Sequence, residues 1–95
     1  MERRLAAILA DDVVGYSRLM GADEVGTLMR LKALRRELVQ PKITKRGGRI
    51  VKLMGDGLLA EFPSVVEAVL CAVDIQHAMT EREADLPDDR RIRLR

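Results

Sequence analysis

RIVKLMGDGLLAEF, residues Arg49–Phe62, is the stretch that decides the fold of this chain. One apolar run enters Gly55-Asp56-Gly57 and a second apolar run leaves it, which is among the strongest short-range signals of a β-hairpin. The tight turn of a hairpin requires positive φ angles, which glycine adopts freely and aspartate tolerates. The stretch therefore predicts two paired strands that present the carboxylate of Asp56 at their tip.

Lys52 interrupts the apolar alternation of the first of these strands. The alternation places it on the face of Ile50 and Met54. A lysine on an otherwise apolar face and a carboxylate on a rigid turn are groups that a site for a polyphosphate and its metal ion requires. The same residues also fit a surface turn beside a lysine whose charged end extends into solvent.

The composition describes a small globular protein. The 95 residues allow one domain, and a hydrophobic fraction of 47% argues against disorder. A net charge of +2 gives no support for a nucleic-acid partner. Cys71 is the single cysteine, so an internal disulfide is excluded and a reducing, cytoplasmic location is expected. No apolar run approaches the roughly 18 residues of a membrane span, so no membrane partner is expected.

The first half of the chain is predicted to form a strand and then a long helix. The strand covers Leu5–Ala10, and Gly15-Tyr16-Ser17 separates it from the helical region. A helix follows over Asp23–Gln40, with Asp23 as its N-cap. Pro41 either kinks this helix or opens a further turn.

The second half contains the hairpin, a helix and the start of a further strand. Ser64-Val65-Val66-Glu67 has the pattern of a capping box, in which the serine caps forward and the glutamate reaches back. The helix ends near Arg82 or Glu83, and Ile92-Arg93-Leu94-Arg95 alternates like a strand. One apolar stripe of the helix comprises Val65, Val69, Ala72 (or Val73), Gln76 and Met79, with Val66, Leu70 and Ile75 beside it.

This order of elements predicts an α+β fold, a ferredoxin-like β-α-β-β-α-β sheet that is truncated in its last strand. The plan places the helices on one face of the sheet and leaves the other face open for a ligand or a partner. The first strand is expected to be central and to neighbour the second strand. Asp12, at the end of the first strand, then lies within a few ångströms of Asp56.

Asp12 and Asp56 are the candidate metal ligands. Paired carboxylates repel unless a proton or a cation lies between them, so the pair favours a hard divalent cation. Gly15-Tyr16-Ser17 lies at a strand-to-helix transition, where backbone N–H groups can bind an anion. Each residue also has a purely structural interpretation: Asp11 or Asp12 can end a strand or cap a turn, and Gly15 can be a turn glycine.

Two segments, Ala10–Ser17 and Gly48–Phe62, resemble the signatures of the class III adenylate/guanylate cyclase catalytic domain of the bacterial type. The similarity extends over essentially the whole chain. Residues 1–95 are therefore identified as a partial nucleotide cyclase catalytic domain, its N-terminal half.

The resemblance implies a site for metal ions and ATP. Asp12 and Asp56 match the two metal-binding aspartates, the Val13 carbonyl matches a further ligand, and the metal is Mg²⁺ or Mn²⁺. Lys52 matches the lysine that reads the adenine ring, which favours ATP over GTP. The predicted substrate contacts are Lys52, Gly15, Tyr16, Ser17 and Gly55.

The implied reaction converts ATP to cyclic AMP and pyrophosphate by a two-metal mechanism in cyclic-nucleotide signalling. The family acts as a head-to-tail dimer, so a homodimer or a cyclase-like partner on the open sheet face is expected. Asp11 stands where family members commonly carry a small residue, so a second carboxylate there could perturb the metal site.

The chain ends at Arg95, before the second adenine-recognising residue and the asparagine and arginine that stabilise the transition state in the family. Losing positioned charge stabilisers typically costs a factor of ~10³ or more in rate, so the chain alone is expected to be inactive. The alternative is a non-catalytic cyclase-like module for interaction or dimerisation through the open sheet face. An RNA-binding domain of this plan would stack bases on sheet aromatics, and neither central strand has one on the face of Lys52.

Overall fold

The computed structural model describes residues 7–87 and 91–94 of the chain. Three strands form one antiparallel sheet: β1 (Ala7–Asp11), β2 (Arg49–Met54) and β3 (Gly57–Phe62). The helices are α1 (Tyr16–Ala22), α2 (Glu24–Leu34), a π-helical turn (Arg35–Val39), α3 (Gln40–Lys45) and α4 (Val65–Arg82). The predicted α+β plan is confirmed, and Leu5, Ala6 and Arg95 of its predicted strands lie outside the described residues.

The strand order is β1-β3-β2, so β1 neighbours the third strand and not the second. The prediction of a first strand beside the second strand is wrong, and β3 is the middle strand of the described sheet. The side chains of Leu58, Ala60 and Phe62 in β3 are buried. Because β3 has a neighbouring strand on each side, neither of its edges is exposed to water. The register runs from Ala7 opposite Phe62 to Asp11 opposite Leu58, which brings the end of β1 beside the hairpin tip.

A β-bulge in β2 determines the side of the sheet on which Lys52 lies. Ile50 pairs with Ala60, but Lys52 pairs with Leu59, so the register shifts by one residue at Val51. Because neighbouring residues of β3 point to opposite faces, Ile50 lies on the helix side and Lys52 on the open side. The prediction that the two residues share a face is therefore wrong.

The hairpin turn uses one positive φ angle. Gly55 has φ 57°, and no non-glycine residue has a positive φ within the described ranges. Asp56 itself has no positive φ. A two-residue loop with its positive φ at the first position is the pattern of a type II′ turn, in which glycine leads.

The helix caps follow the sequence closely. Asp23 Oδ1 accepts a hydrogen bond from the Gly26 amide at 3.0 Å, which confirms the predicted N-cap. Ser64 Oγ accepts from the Glu67 amide at 3.1 Å, which confirms the forward half of the predicted capping box. No helix in the described part of the chain has the length and apolar character of a membrane span.

The side of α4 that faces the core agrees with the predicted stripe at Met79 and with its neighbouring position Ile75, and differs from it elsewhere. Its buried residues are Ala68, Cys71, Ile75 and Met79. Val65, at the head of the predicted stripe, is 61% exposed. Arg46 Nη2 also donates to Asp74 Oδ2 at 2.9 Å, which forms an ion pair between the end of α3 and α4. The same Arg46 guanidinium holds the pKa of the Asp74 carboxyl below its usual value.

The π-helical turn ends at Val39, two residues before Pro41. Pro41 lies in the first turn of α3, which is one of the two predicted alternatives. The Gln40 amide donates to the Arg35 carbonyl, five residues back. Proline has no N–H, and its ring clashes with the carbonyl four residues earlier in a regular helix. The wider turn relieves this clash and lets the helix continue.

Phe62 lies at the centre of the core and requires a glycine beside it. Its side chain is 2% exposed, and a Cβ added at Gly48 would lie 2.6 Å from the ring atom Cε2. Gly48 therefore permits the close approach of the backbone to the aromatic ring, which side chains of other residues would block.

We expect Gly48→Ala to lower the free energy of unfolding by about 1–3 kcal/mol, because the ring of Phe62 must move to admit the methyl group. Gly21→Ala is the matched control, since a Cβ there has no neighbour within 4 Å and α1 should gain up to about 1 kcal/mol. Urea denaturation of both variants measures the difference. Equal stability of the two variants would contradict this packing argument.

Candidate functional site

An open pocket of about 350 Å³ lies where the end of β1 meets the hairpin tip. Asp12 and Asp56 both line it, as the sequence predicts. The complete lining is Ala10, Asp11, Asp12, Met54, Asp56, Gly57, Leu58 and Leu59. The pocket thus combines carboxylates from two separate segments with a largely apolar floor.

One hydrogen bond joins these two segments. The Val13 amide donates to Asp56 Oδ2 at 3.1 Å, across 43 residues of sequence. Because Val13 directly follows Asp12, this bond places the carboxylate of Asp56 next to the backbone of the other candidate ligand. Val13 is 3% exposed and the bond is partly buried, so the amide is less accessible to water than the carboxylate that accepts its hydrogen.

The segment after β1 is itself anchored by the last described residues. Val13 forms an antiparallel bridge with Leu94, and the Val14 amide donates to the Arg93 carbonyl at 2.7 Å. Gln76 Nε2 of α4 donates to the Leu94 carbonyl at 2.8 Å. These contacts fix the backbone that carries Asp12 and Val13.

The other predicted site residues lie outside the lining of this pocket. Lys52 is exposed on the open sheet face opposite Leu59, which places it at the margin of the pocket. Gly15 has φ 67° and is the N-cap residue of α1. Tyr16 packs against the core, whereas Ser17 is exposed.

Comparison with known proteins identifies what this arrangement resembles. The chain is 52% identical, over all 95 residues, to a protein of Rhizobium meliloti (strain 1021) named "Putative adenylate cyclase 3". It is 53% identical to the adenylate/guanylate cyclase/hydrolase of Silicibacter pomeroyi, whose crystal structure matches 99% of this chain with a TM-score of 0.88. No protein-family model matches the chain.

The chain belongs to the class III adenylate/guanylate cyclase family. It spans 16% of the Rhizobium protein and 55% of the Silicibacter chain. The guanylyl cyclase Cya2 matches 98% of this chain at 25% identity with a TM-score of 0.75, and 52% of its own chain is covered. A bacterial light-regulated adenylyl cyclase has the same fold at 18% identity and a TM-score of 0.79.

The donor set of this cyclase chain fits a magnesium ion that keeps part of its water shell. Mg²⁺ is usually held by one or two carboxylates together with substrate phosphates, and not by a cage of protein ligands. Asp12 and Asp56 supply two carboxylates to one pocket. Residues 7–87 and 91–94 contain no group of three or more His, Cys, Asp or Glu residues that could hold a metal ion. The two carboxylates therefore fit the pattern of a magnesium ion that is held together with substrate phosphates.

Asp11 borders the pocket from the helix side of the sheet. It alternates with Ala7 and Leu9 along β1, and it also lines a small cavity of about 10 Å³ with Leu34 and Asp56. Its effect on a bound metal stays a prediction.

Arg35 is a site residue that the sequence reasoning missed. Its Nη2 donates to the Gly55 carbonyl at 2.9 Å, so it contacts the hairpin tip from the helix layer. The helical spacing of the sequence places Arg35 on an apolar side of the helix. It lies four residues after Leu31 and four residues before Val39, and both of these leucine and valine side chains are buried. The solvent-exposed end of this arginine reaches the turn that carries Asp56.

Proposed function

We propose that this chain supplies the metal-binding and nucleotide-binding part of an adenylate cyclase site, which converts ATP to cyclic AMP and pyrophosphate. The observation that carries the proposal is the convergence of Asp12 and Asp56 on one pocket, with Asp56 held by the Val13 amide. The family membership supports the same reaction class, and the names of the relatives include both adenylate and guanylate cyclases.

In the proposed reaction the ribose 3′-oxygen attacks the α-phosphorus of ATP. One phosphorus–oxygen bond forms, the bond to the oxygen bridging to the β-phosphate breaks, and pyrophosphate leaves. The 3′-hydroxyl gives up its proton to solvent water in this step. Every atom of cyclic AMP and pyrophosphate comes from ATP, so the residues of the site only bind, orient and stabilise charge.

Asp12, Asp56 and the Val13 carbonyl would hold Mg²⁺ or Mn²⁺ in this site. The bound ion supplies positive charge that stabilises the developing alkoxide and the phosphoryl oxygens. The Val13 amide orients Asp56, whose carboxylate retains further lone pairs beyond the one bond it accepts.

Other residues of the chain would contact the nucleotide. Lys52 would hydrogen-bond the adenine ring from the margin of the pocket. Backbone N–H groups of Gly15, Tyr16 and Ser17 would contact phosphate oxygens, and the backbone of Gly55 would border the nucleotide at the hairpin tip.

Asp56→Asn should weaken the binding of Mn²⁺ by about tenfold or more, since even outer contacts of metal ligands contribute at least this much. The free Mn²⁺ signal in electron paramagnetic resonance, recorded during titration of the 95-residue chain in the presence of ATP, measures the affinity. Asp85→Asn is the matched control, because Asp85 is an exposed aspartate after α4 and does not line the pocket. Equal Mn²⁺ affinity of the two variants would refute the metal site.

Lys52→Glu should lower the preference for ATP over GTP about tenfold, because a hydrogen bond to a charged group contributes about 1.4 kcal/mol or more. Displacement of a fluorescent ATP analogue by each nucleotide measures the ratio of affinities. Lys32→Glu, an exposed lysine of α2, controls for the change in charge. The proposed role fails if both variants keep the wild-type ratio.

The 95-residue chain alone should produce no measurable cyclic AMP from ATP with Mn²⁺ or Mg²⁺. The resemblance locates the charge-stabilising residues in the remaining part of the domain, and this chain spans 55% of the Silicibacter enzyme. Cyclic AMP quantified by mass spectrometry tests the expectation. Production that Asp56→Ala abolishes would overturn it.

A non-catalytic interaction module is the second candidate function. The open sheet face favours it, because Ile8 is 53% and Met54 is 44% exposed there. A homodimer or a cyclase-like partner would cover this face. The same face carries Lys52, so pairing through it and nucleotide binding are compatible. A chain that binds no Mn²⁺ in the titration above would favour the interaction module alone.

A further inference from the structure

One arginine lies within the buried side of the long helix. Leu31, Val39 and Ile43 follow this side at four-residue spacing, and each is at most 4% exposed. Arg35 occupies the remaining position and is half-buried. Its hydrogen-bonding end is exposed to solvent, so the side chain extends from this buried side toward the surface.

The partner of Arg35 is the hairpin tip. Arg35 Nη2 donates to the Gly55 carbonyl at 2.9 Å, across 20 residues of sequence. A Cβ added at Gly55 would meet no atom within 4 Å, so side-chain packing around this residue is sparse. The hydrogen bond therefore ties an otherwise open turn to the helix layer. Arg35 and Asp56 also line the same small cavity behind the tip.

Two hydrogen bonds thus hold the turn. Arg35 binds the carbonyl of Gly55, directly before Asp56, and the Val13 amide binds Asp56 Oδ2. We propose that Arg35 is a positioning residue, which fixes the hairpin tip so that Asp56 presents its carboxylate to the pocket shared with Asp12. This inference rests on the proposed function, in which Asp56 binds a divalent cation.

The direction in which Arg35→Gln changes the affinity for Mn²⁺ separates a positioning role from a plain effect of charge. A cation near the pocket repels a second cation, so removal of the Arg35 charge alone would tighten Mn²⁺ binding. Loss of positioning weakens Mn²⁺ binding instead. We expect Arg35→Gln to weaken it about tenfold, the lower end of the range for outer contacts of metal ligands.

Mn²⁺ titration of the 95-residue chain by electron paramagnetic resonance tests this inference. Arg36→Gln is the matched control, because Arg36 is exposed and pairs with Glu37 at the surface. Arg36→Gln should bind Mn²⁺ like the wild type. Arg35→Lys keeps the charge and one donor, so its affinity should lie between those of the wild type and Arg35→Gln. Unchanged or tighter binding by Arg35→Gln overturns the inference.

Hydrogen exchange of the Val13 amide, followed by nuclear magnetic resonance without metal, provides an independent measurement. This amide donates to Asp56 Oδ2, so its exchange rate reports whether the carboxylate is in place. Exchange should be faster in Arg35→Gln and unchanged in Arg36→Gln. If the wild-type chain binds no Mn²⁺, the proposed function fails, and the exchange rates still decide the role of Arg35. Equal rates in the two variants would overturn that role.

Discussion

The antiparallel pairing of β1 with β3 is the constraint on which the site depends. The register sets Asp11 opposite Leu58, two residues after Asp56, so the end of the first strand and the tip of the hairpin occupy the same place. A shift of one residue would turn each inward side chain of β1 to the open face, and burial of Leu58 and Phe62 opposes such a shift. The core thus determines which carboxylates can meet.

Local signals in the sequence predicted much of this arrangement. Gly55-Asp56-Gly57 specifies a turn by backbone conformation alone, and Asp23 and Ser64 specify helix starts because their side chains bond amides within three residues. The meeting of Asp12 with Asp56 followed from the order of elements, even though the strand assumed to lie beside β1 was the wrong one. Both β2 and β3 belong to the hairpin. Pairing of β1 with either strand therefore brings the hairpin tip to the same end of β1.

The features that could not be predicted depend on contacts between distant residues. The buried side of α4 consists of Ala68, Cys71, Ile75 and Met79, and the exposed valines of the same helix offer a second apolar side to any prediction from its sequence alone. The bulge at Val51 moves Lys52 to the open face without any proline or glycine in the strand to mark it. Both outcomes are decided by which side chains become buried together, and periodicity within one element carries no information about that choice.

Electrostatics explains why the site needs its hydrogen bonds. Asp11, Asp12 and Asp56 all border the pocket, and carboxylates that share a site repel one another. The Val13 amide and the Arg35 guanidinium contribute positive partial or full charge at the tip, and each binds a different atom of the turn. The Val13 amide occupies one acceptor position of the Asp56 carboxylate, and an ionised carboxylate has several such positions. The fold therefore holds Asp56 beside the segment that carries Asp12, and both side chains line the same pocket.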